Sequence, residues 1–378
     1  MEPITHFMTG ACLARAGFNR KAAYATLAMT LAAEAPDLDT LWSIHGPIAA
    51  FQHHRGITHT FLGLPFEGAI VVGAVYLYHR YRTRRAASLP RTSNPESRTS
   101  TAAPVRWLLL YAFTLIALLS HILLDWTNNY GVRPFFPFNP RWYAGSIVFI
   151  FEPVLFAVLL LALTAPALFG LISSEVGAPR QPFRGRGWAI FALIAMVCLW
   201  GWRQVEHDAA IRLATTTATY GPADTPSSEV LRIIASPSPI NPYIWHTVVE
   251  TPTFYQLATI NSLRQTLDTN PDRDILYKPP TTLATLAAKR SLLGQVYLDW
   301  SSWPLVTDMG PVADADPITT LPDGTHPDGL TAVTFVDLRF LYDTTLLAGR
   351  RNPPLSATVY IDADRRVAAM EMGGKLQK

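Results

Sequence analysis

Histidine and aspartate recur in separated blocks of this chain, each beside an apolar stretch. His121 and Asp125 close an apolar run that begins at Val105, and at i and i+4 they share one helical face. An ionisable group at the centre of a bilayer costs about 2.5–3.5 kcal/mol on insertion scales, so such groups face a polar interior, a partner or a metal. Asp37 and Asp39 follow Pro36, a spacing that suits a turn aiming both carboxylates better than a helix. His54 and His59 are separated by about 140° around an ideal helix, and Gly56 between them lets the chain break and bring them together. His6 stands near the start of the chain.

Imidazoles and carboxylates drawn from distant segments are ligands that zinc and manganese use, and two such ions about 3.5–4 Å apart clamp both oxygens of a phosphoester displacement. The groups that could supply such a two-metal site are His6, Glu34, Asp37, Asp39, His53, His54, His59, His121 and Asp125. Catalysis would rest on a metal-activated water, with Asp37 or Asp39 as proton acceptor. No glycine-rich phosphate loop, nucleotide fingerprint or nucleophile-elbow serine points to another chemistry. Plainer roles exist for each group. Asp37 and Asp39 suit a helix N-terminus, His6 an interfacial position, and His121 with Asp125 an intramembrane hydrogen bond. Glu67, Glu152 and the cluster Glu206, His207 and Asp208 read as local polar contacts. Arg141 has the planar fork that holds a phosphate, but beside Trp142 and Tyr143 it reads as an interfacial residue.

The elements that must hold these groups are apolar. With 378 residues, a mean hydropathy of +0.17 and 16% charged residues, the chain is too apolar for two ordinary soluble domains. Phe61–Tyr78, Val105–Trp126 and Ile147–Ser173 are long enough to cross a hydrocarbon core of about 30 Å, and Gly187–Trp202 is a shorter fourth candidate. Between the first two lie Arg80, Arg82, Arg84, Arg85, Arg91, Arg98 and Arg106 against Glu96; between the last two lie Arg180, Arg184 and Arg186 against Glu175. The positive-inside rule makes both loops cytoplasmic and puts the histidine and aspartate blocks at the outer face. The net charge of +3 follows from this asymmetry, so no nucleic-acid partner is expected. Cys12 and Cys198 both lie in apolar segments and read as packing residues.

Glu2, Pro3 and His6 occupy the place of a signal peptide's basic region, so the N-terminus reads as a retained segment. Phe7–Phe18 and Ala22–Ala33 form two arms joined by Asn19, Arg20 and Lys21. At 1.5 Å per residue each arm reaches only about 18 Å, which predicts a half-buried hairpin. From about Gly221 the composition turns polar and proline-rich, and alternating strands are predicted at Val230–Ala235, Trp245–Glu250, Phe254–Ile260, Gly294–Asp299, Thr331–Phe340, Ala357–Ile361 and Val367–Met372. Leu283–Leu292 reads as a helix, and Asp308–Asp328 as a turn-rich loop without EF-hand spacing. The predicted architecture is an α-helical polytopic membrane domain, residues 1–204, followed by a soluble mostly-β (α+β) domain, residues 205–378, outside the cytoplasm.

Pro36-Asp37-Leu38-Asp39, the block from His54 to Thr60, and Leu119 to Asp125 followed by Gly131, Pro137, Arg141 and Trp142 resemble the YdjM-type, LexA-regulated inner-membrane metal-dependent hydrolases. His6 stands where that family has an N-terminal histidine. The resemblance covers roughly residues 1–145. It implies an integral protein of the bacterial inner membrane and a divalent-metal hydrolase, a label that rests on likeness to zinc phospholipase C-like enzymes. Glu34, His53 and Thr60 depart from the family pattern, so the resemblance implies His6, Asp37, Asp39, His54, His59, His121 and Asp125 as the expected ligands. The expected function is a membrane-bound, divalent-metal-dependent hydrolase of phosphoesters, with zinc or manganese as cofactor and the bilayer as setting. Its substrate would be amphiphilic and lipid-linked. A metal or proton transporter using the same groups would need polar residues along the cytoplasmic halves of the spans, which are nearly all apolar. A non-catalytic envelope protein with a structural polar cluster is the other alternative.

Overall fold

Small and apolar residues at i, i+3, i+4 and i+7 build the N-terminal half. The computed structural model describes residues 1–88, 103–175, 185–216, 219–222, 227–312, 329–341 and 353–377. Helix α1 (Pro3–Ala16) is capped by the Glu2 carboxylate on the Thr5 N–H, and a short 3-10 turn leads to α2 (Ala25–Glu34). These are the two arms of the expected hairpin. Ala25, Ala28, Met29 and Ala32 form the buried stripe of α2, and Gly10 of α1 lets the two backbones approach closely. An 11-residue 3-10 run, Ala35–His45, follows and leads to α3 (Pro47–His53). Next come α4 (Leu64–Ser88), α5 (Trp107–Thr127), α6 (Pro153–Glu175) and α7 (Arg186–Thr216).

The chain divides into two compact units: Met1–Asp39 with Arg55–Gln204, and Thr40–His54 with Val205–Lys378. In the first, α1, α2, α4 and α5 share a core that includes Ala28, Met29, Val71, Phe113 and Leu118. The opposite face of α1, through Met8 and Cys12, packs on Leu155 and Leu159 of α6 and Ala192 of α7. The buried stripe of α5 runs Leu110, Phe113, Ala117 and His121, so the chemistry-bearing end of this helix continues its core face. Among the described residues α5 and α7 are long and apolar enough to cross a membrane, and Pro47–His59 taken together with α4 makes a third candidate. Pro153–Phe169 is a shorter apolar helix. The stretch Ile147–Glu152, expected at the start of a span, is instead irregular chain with bends before α6; Val148 makes an isolated bridge to Asn128 there.

The second unit is built on two five-stranded antiparallel sheets. One orders β1 (Arg232–Pro237), β2 (Ile244–Glu250), β3 (Phe254–Asn261) and β4 (Thr266–Asp268), with β5 (Ile275–Tyr277) also paired to β3. The other runs in the order β10 (Lys375–Gln377), β9 (Val367–Met372), β8 (Ala357–Ile361), β7 (Thr331–Asp337) and β6 (Pro304–Pro311). Helix α8 (Pro271–Asp274) lies between β4 and β5 of the first sheet, and α9 (Leu283–Arg290) and α10 (Leu292–Trp300) connect the two sheets. The predicted strand Gly294–Asp299 is therefore a helix. Ser291 caps it through the Gly294 N–H, and Leu293, Tyr297 and Trp300 place the apolar groups at helical spacing. Trp245 is fully buried against Ala210, Leu213 and Ala214 of α7. The segment Thr40–His54 packs within this unit: the Phe51 ring lies 5.9 Å from that of Tyr297 and 5.1 Å from that of Trp300. Asp308–Pro311, expected to begin a loop, instead ends β6, where Asp308 pairs with Val333 and Pro311 with Thr331; residues 313–328, including Asp314, Asp316, Asp323 and Asp328, lie outside the described residues, as do Arg91, Arg98, Arg180 and Arg184.

Candidate metal centre

Three elements of the first unit deliver their polar ends to one place. The C-terminal turns of α5 supply His121 and Asp125; the 3-10 run after α2 supplies Asp37; and a 3-10 turn, Ile57–His59, supplies His59. One donor atom from each of Asp37, His59, His121 and Asp125 lies within 4.8 Å of the other three. His59 Nε2 and His121 Nε2 are 3.0 Å apart. From Asp125 Oδ2 they stand at 3.4 and 3.5 Å, and from Asp37 Oδ1 at 3.5 and 3.6 Å. A tetrahedral zinc ion with ligands at about 2.0–2.1 Å needs neighbouring donors about 3.3–3.4 Å apart. The five measured edges bracket that value, so the donor set fits a four-coordinate ion.

The surrounding bonds aim the donors. His121 Nδ1 is 2.7 Å from the carbonyl of Ala33 on α2. A carbonyl only accepts, so Nδ1 carries the proton and the neutral ring presents its Nε2 lone pair to the cluster. His59 Nδ1 lies 3.1 Å from the Thr58 hydroxyl and 3.5 Å from Asp39 Oδ2, and these two groups likewise turn its Nε2 inward. Asp125 Oδ2 is buried without a hydrogen bond, whereas its Oδ1 accepts from Arg55 at 2.7 Å. Asp37 is the open member: 12% of its side chain is exposed, against none for His59, His121 and Asp125. Burial pushes the Asp37 carboxyl up, but when the imidazoles are protonated the hydrogen bond from His59 and the charges of His121 and His6 outweigh it and hold the group below the usual carboxylate range. Burial, then the charges of Asp37 and Glu2, push Glu34 up to about 7.

The remaining expected ligands lie differently. His6 stacks on His121 with ring centroids 3.7 Å apart, and its Nε2 is 3.3 Å from Asp125 Oδ1, the oxygen turned away from the four-donor cluster. The Met1 amino group contacts that same oxygen and lies 3.0 Å from His6 Nε2. Asp39 sits behind His59 and accepts the Arg55 backbone N–H at 2.7 Å. His54 follows α3, its N–H bonded to the Ala50 carbonyl, and belongs to the second unit. Among the described residues one metal-capable group is found, where two ions were expected. Arg141 is exposed, with its guanidinium 5.4 Å from the Tyr143 ring.

Arg55 is the residue that sequence reasoning passed over. It has φ +53°, a left-handed conformation that costs a non-glycine residue about 1–3 kcal/mol. Its NH1 donates to the Gly131 carbonyl at 2.7 Å and to Asn128 Oδ1 at 3.3 Å, and its plane covers the Tyr130 ring at 4.8 Å. The available signal was an arginine placed between His54 and His59, next to the glycine that breaks the chain; a cation held among candidate ligands needs partners if it is to be buried.

A family model described as YdjM inner membrane protein matches residues 1–210. The uncharacterized protein YfhP of Bacillus subtilis (strain 168) is 26% identical over 164 residues, which cover 41% of this chain and 43% of that protein. The matched region thus spans less than half of that relative's length. No solved structure gives a significant match.

Proposed function

This chain belongs to the YdjM inner membrane protein family, and on that premise we propose that it is a membrane-bound hydrolase of phosphoesters that works through one divalent ion. The observation that carries this reading is the convergence of Asp37, His59, His121 and Asp125 at tetrahedral spacing. Two imidazoles with two carboxylates favour zinc, with manganese the next choice. When bound, such an ion supplies Lewis acidity and a water acidic enough to act as nucleophile near neutral pH. Asp37 closes the ligand set through Oδ1 and is its least buried member; its Oδ2, itself buried, and the Asp39 carboxylate are the two candidate proton acceptors. Asp39 orients His59 from behind.

An amphiphilic, lipid-linked substrate suits the rim of the site. Leu38 lies between the two aspartates, Ile57 two residues before His59, and both are exposed, as are Phe61, Phe135 and Phe138. The Phe61 and Phe135 rings meet at 5.3 Å, making an apolar surface over which an acyl or prenyl chain would lie while its phosphate reaches the donors. The run Arg80, Arg82, Arg84 and Arg85 at the end of α4 favours a cytoplasmic position for that end, which puts the centre and the C-terminal unit on the outer side.

The test uses the full chain purified in detergent. Bound zinc is expected in the wild type and lost in His59→Ala and His121→Ala, and hydrolysis of a phospholipid or polyprenyl phosphate should stop on chelation and return with zinc. Metal-free wild-type protein after zinc loading, or variants that retain full metal, would remove the basis of the reading. Metal binding without turnover would point to a transporter instead.

A further inference from the structure

Asp125 has two oxygens with different surroundings. Oδ1 accepts from one nitrogen of the Arg55 guanidinium and also contacts the Met1 amino group, while Oδ2 is buried, has no hydrogen bond and faces His59 and His121. The same guanidinium is fixed on its other nitrogen by the Gly131 carbonyl and Asn128 Oδ1, groups that lie just beyond the end of α5. The Arg55 backbone N–H meanwhile holds Asp39, whose Oδ2 stands 3.5 Å from His59 Nδ1. One residue therefore touches the supports of two ligands that come from separate elements. Its unusual backbone angle is maintained together with these contacts.

We infer that Arg55 is a positioning residue that restricts Asp125 to one donor oxygen and thereby keeps the centre four-coordinate. The inference rests on the metal-centre reading above and assigns within it what sets the choice of ion. With Oδ1 occupied by a cationic fork, Asp125 contributes Oδ2 alone, and the set Asp37, His59, His121 and Asp125 suits zinc or cobalt(II). Released from Arg55, Oδ1 keeps only the Met1 amino group and His6 beside it, and the carboxylate is freer to turn both oxygens toward the ion, which raises the coordination number toward that preferred by manganese.

A guanidinium so close to a cation site also acts by charge, and charge alone predicts the opposite result. Removing a positive group would then tighten cation binding, and lysine in its place would behave as wild type. Positioning predicts that lysine fails to rescue, because an ammonium cannot hold Oδ1, Gly131 and Asn128 in one plane.

Zinc and manganese affinities and the visible spectrum of the cobalt(II)-loaded full chain are to be measured for wild type, Arg55→Lys and Arg55→Gly. Glycine suits the left-handed backbone while removing the fork. Both variants are expected to lose about 10- to 100-fold in zinc affinity, to lose less for manganese, and to show the weaker cobalt absorption of a five- or six-coordinate ion. Wild-type zinc affinity and an unchanged cobalt spectrum in either folded variant overturn the inference while leaving the metal centre standing; tighter binding in Arg55→Gly does the same. A wild type that binds no metal overturns both. Should both variants fail to fold, Asn128→Ala removes one acceptor of the same guanidinium and leaves the ligands intact. It should weaken zinc binding and dim the cobalt band, and a wild-type result there counts against Arg55.

Discussion

A methyl group added at Gly10 should damage the metal centre more than it damages the fold. A Cβ built there would sit 2.6 Å from Ala33 Cβ and 2.6 Å from the Met29 carbonyl oxygen. Non-bonded carbons prefer about 3.5–4.0 Å, so α2 must retreat by about 1 Å. Neither obstacle is the far end of a flexible side chain, so rotamer changes give no relief. The same helix carries the Ala33 carbonyl that holds His121 Nδ1 at 2.7 Å. Moving it by that amount either breaks the bond or turns the imidazole out of line. Overpacking costs about 1–3 kcal/mol, and replacing glycine by alanine in a helix returns about 1 kcal/mol. A net loss of about 0–2 kcal/mol in stability follows. Loss of support for a ligating histidine costs about 10- to 100-fold in affinity, or about 1.4–2.8 kcal/mol. Zinc titration of Gly10→Ala in detergent, beside chemical unfolding, reads both quantities. Gly73→Ala on α4 is the control, because its Cβ would meet nothing within 4 Å; it should leave zinc affinity unchanged. Wild-type zinc affinity in Gly10→Ala would refute the claim that α2 aims His121.

Two predictions concern the second unit. Trp245→Ala empties the largest fully buried site, against Ala210, Leu213 and Ala214, and should cost about 3–5 kcal/mol in its unfolding transition; a loss below 1 kcal/mol would contradict the core described here. Asp337 is buried, which raises its carboxyl, but the Arg339 charge and the bonds from Arg339 and Ser301 overcome this and lower it below 3.8. A carboxyl lowered in the folded state contributes stability that is complete above the unfolded value and is lost as pH falls through the folded one. Asp337→Asn should therefore lower the melting temperature at neutral pH and flatten its decline in acid below about pH 4; parallel wild-type and variant curves would show that the pair carries no such coupling.

How much could be read from residues alone differed with the range of the interaction. His121 and Asp125 were legible because one helix brings i and i+4 together and α5 continues its apolar stripe into them. The short hairpin of α1 and α2 was legible from the same periodicity. Asp37 and Asp39 were recognisable as a pair, but their separate roles depend on a 3-10 run that turns one toward His121 and the other behind His59. Nothing local distinguishes them. His54 and His59 looked equivalent in sequence, yet the chain passes between units at His54 and Arg55. Arg55 itself reads as a turn residue until Asp125, Asn128 and Gly131, some seventy positions away, supply its partners. In the second unit alternation located most strands, and it failed at Gly294–Asp299 because three large apolar groups there follow the 3.6-residue period.

The excursion of Thr40–His54 bears on how this protein must be handled. Gly46 lies so near Gln377 that a Cβ would touch its Oε1 at 2.6 Å, and Phe51 is seated on α10. Trimming the chain to the stretch shared with its relatives would strip that arm of Tyr297, Trp300 and Gln377 at once. The arm's two roots are Asp39 and Arg55, so loss of its anchor would loosen residues that brace the candidate ligands. Poor zinc retention in such a fragment would report a severed mooring, and preparations meant for biochemistry should keep the last strand attached.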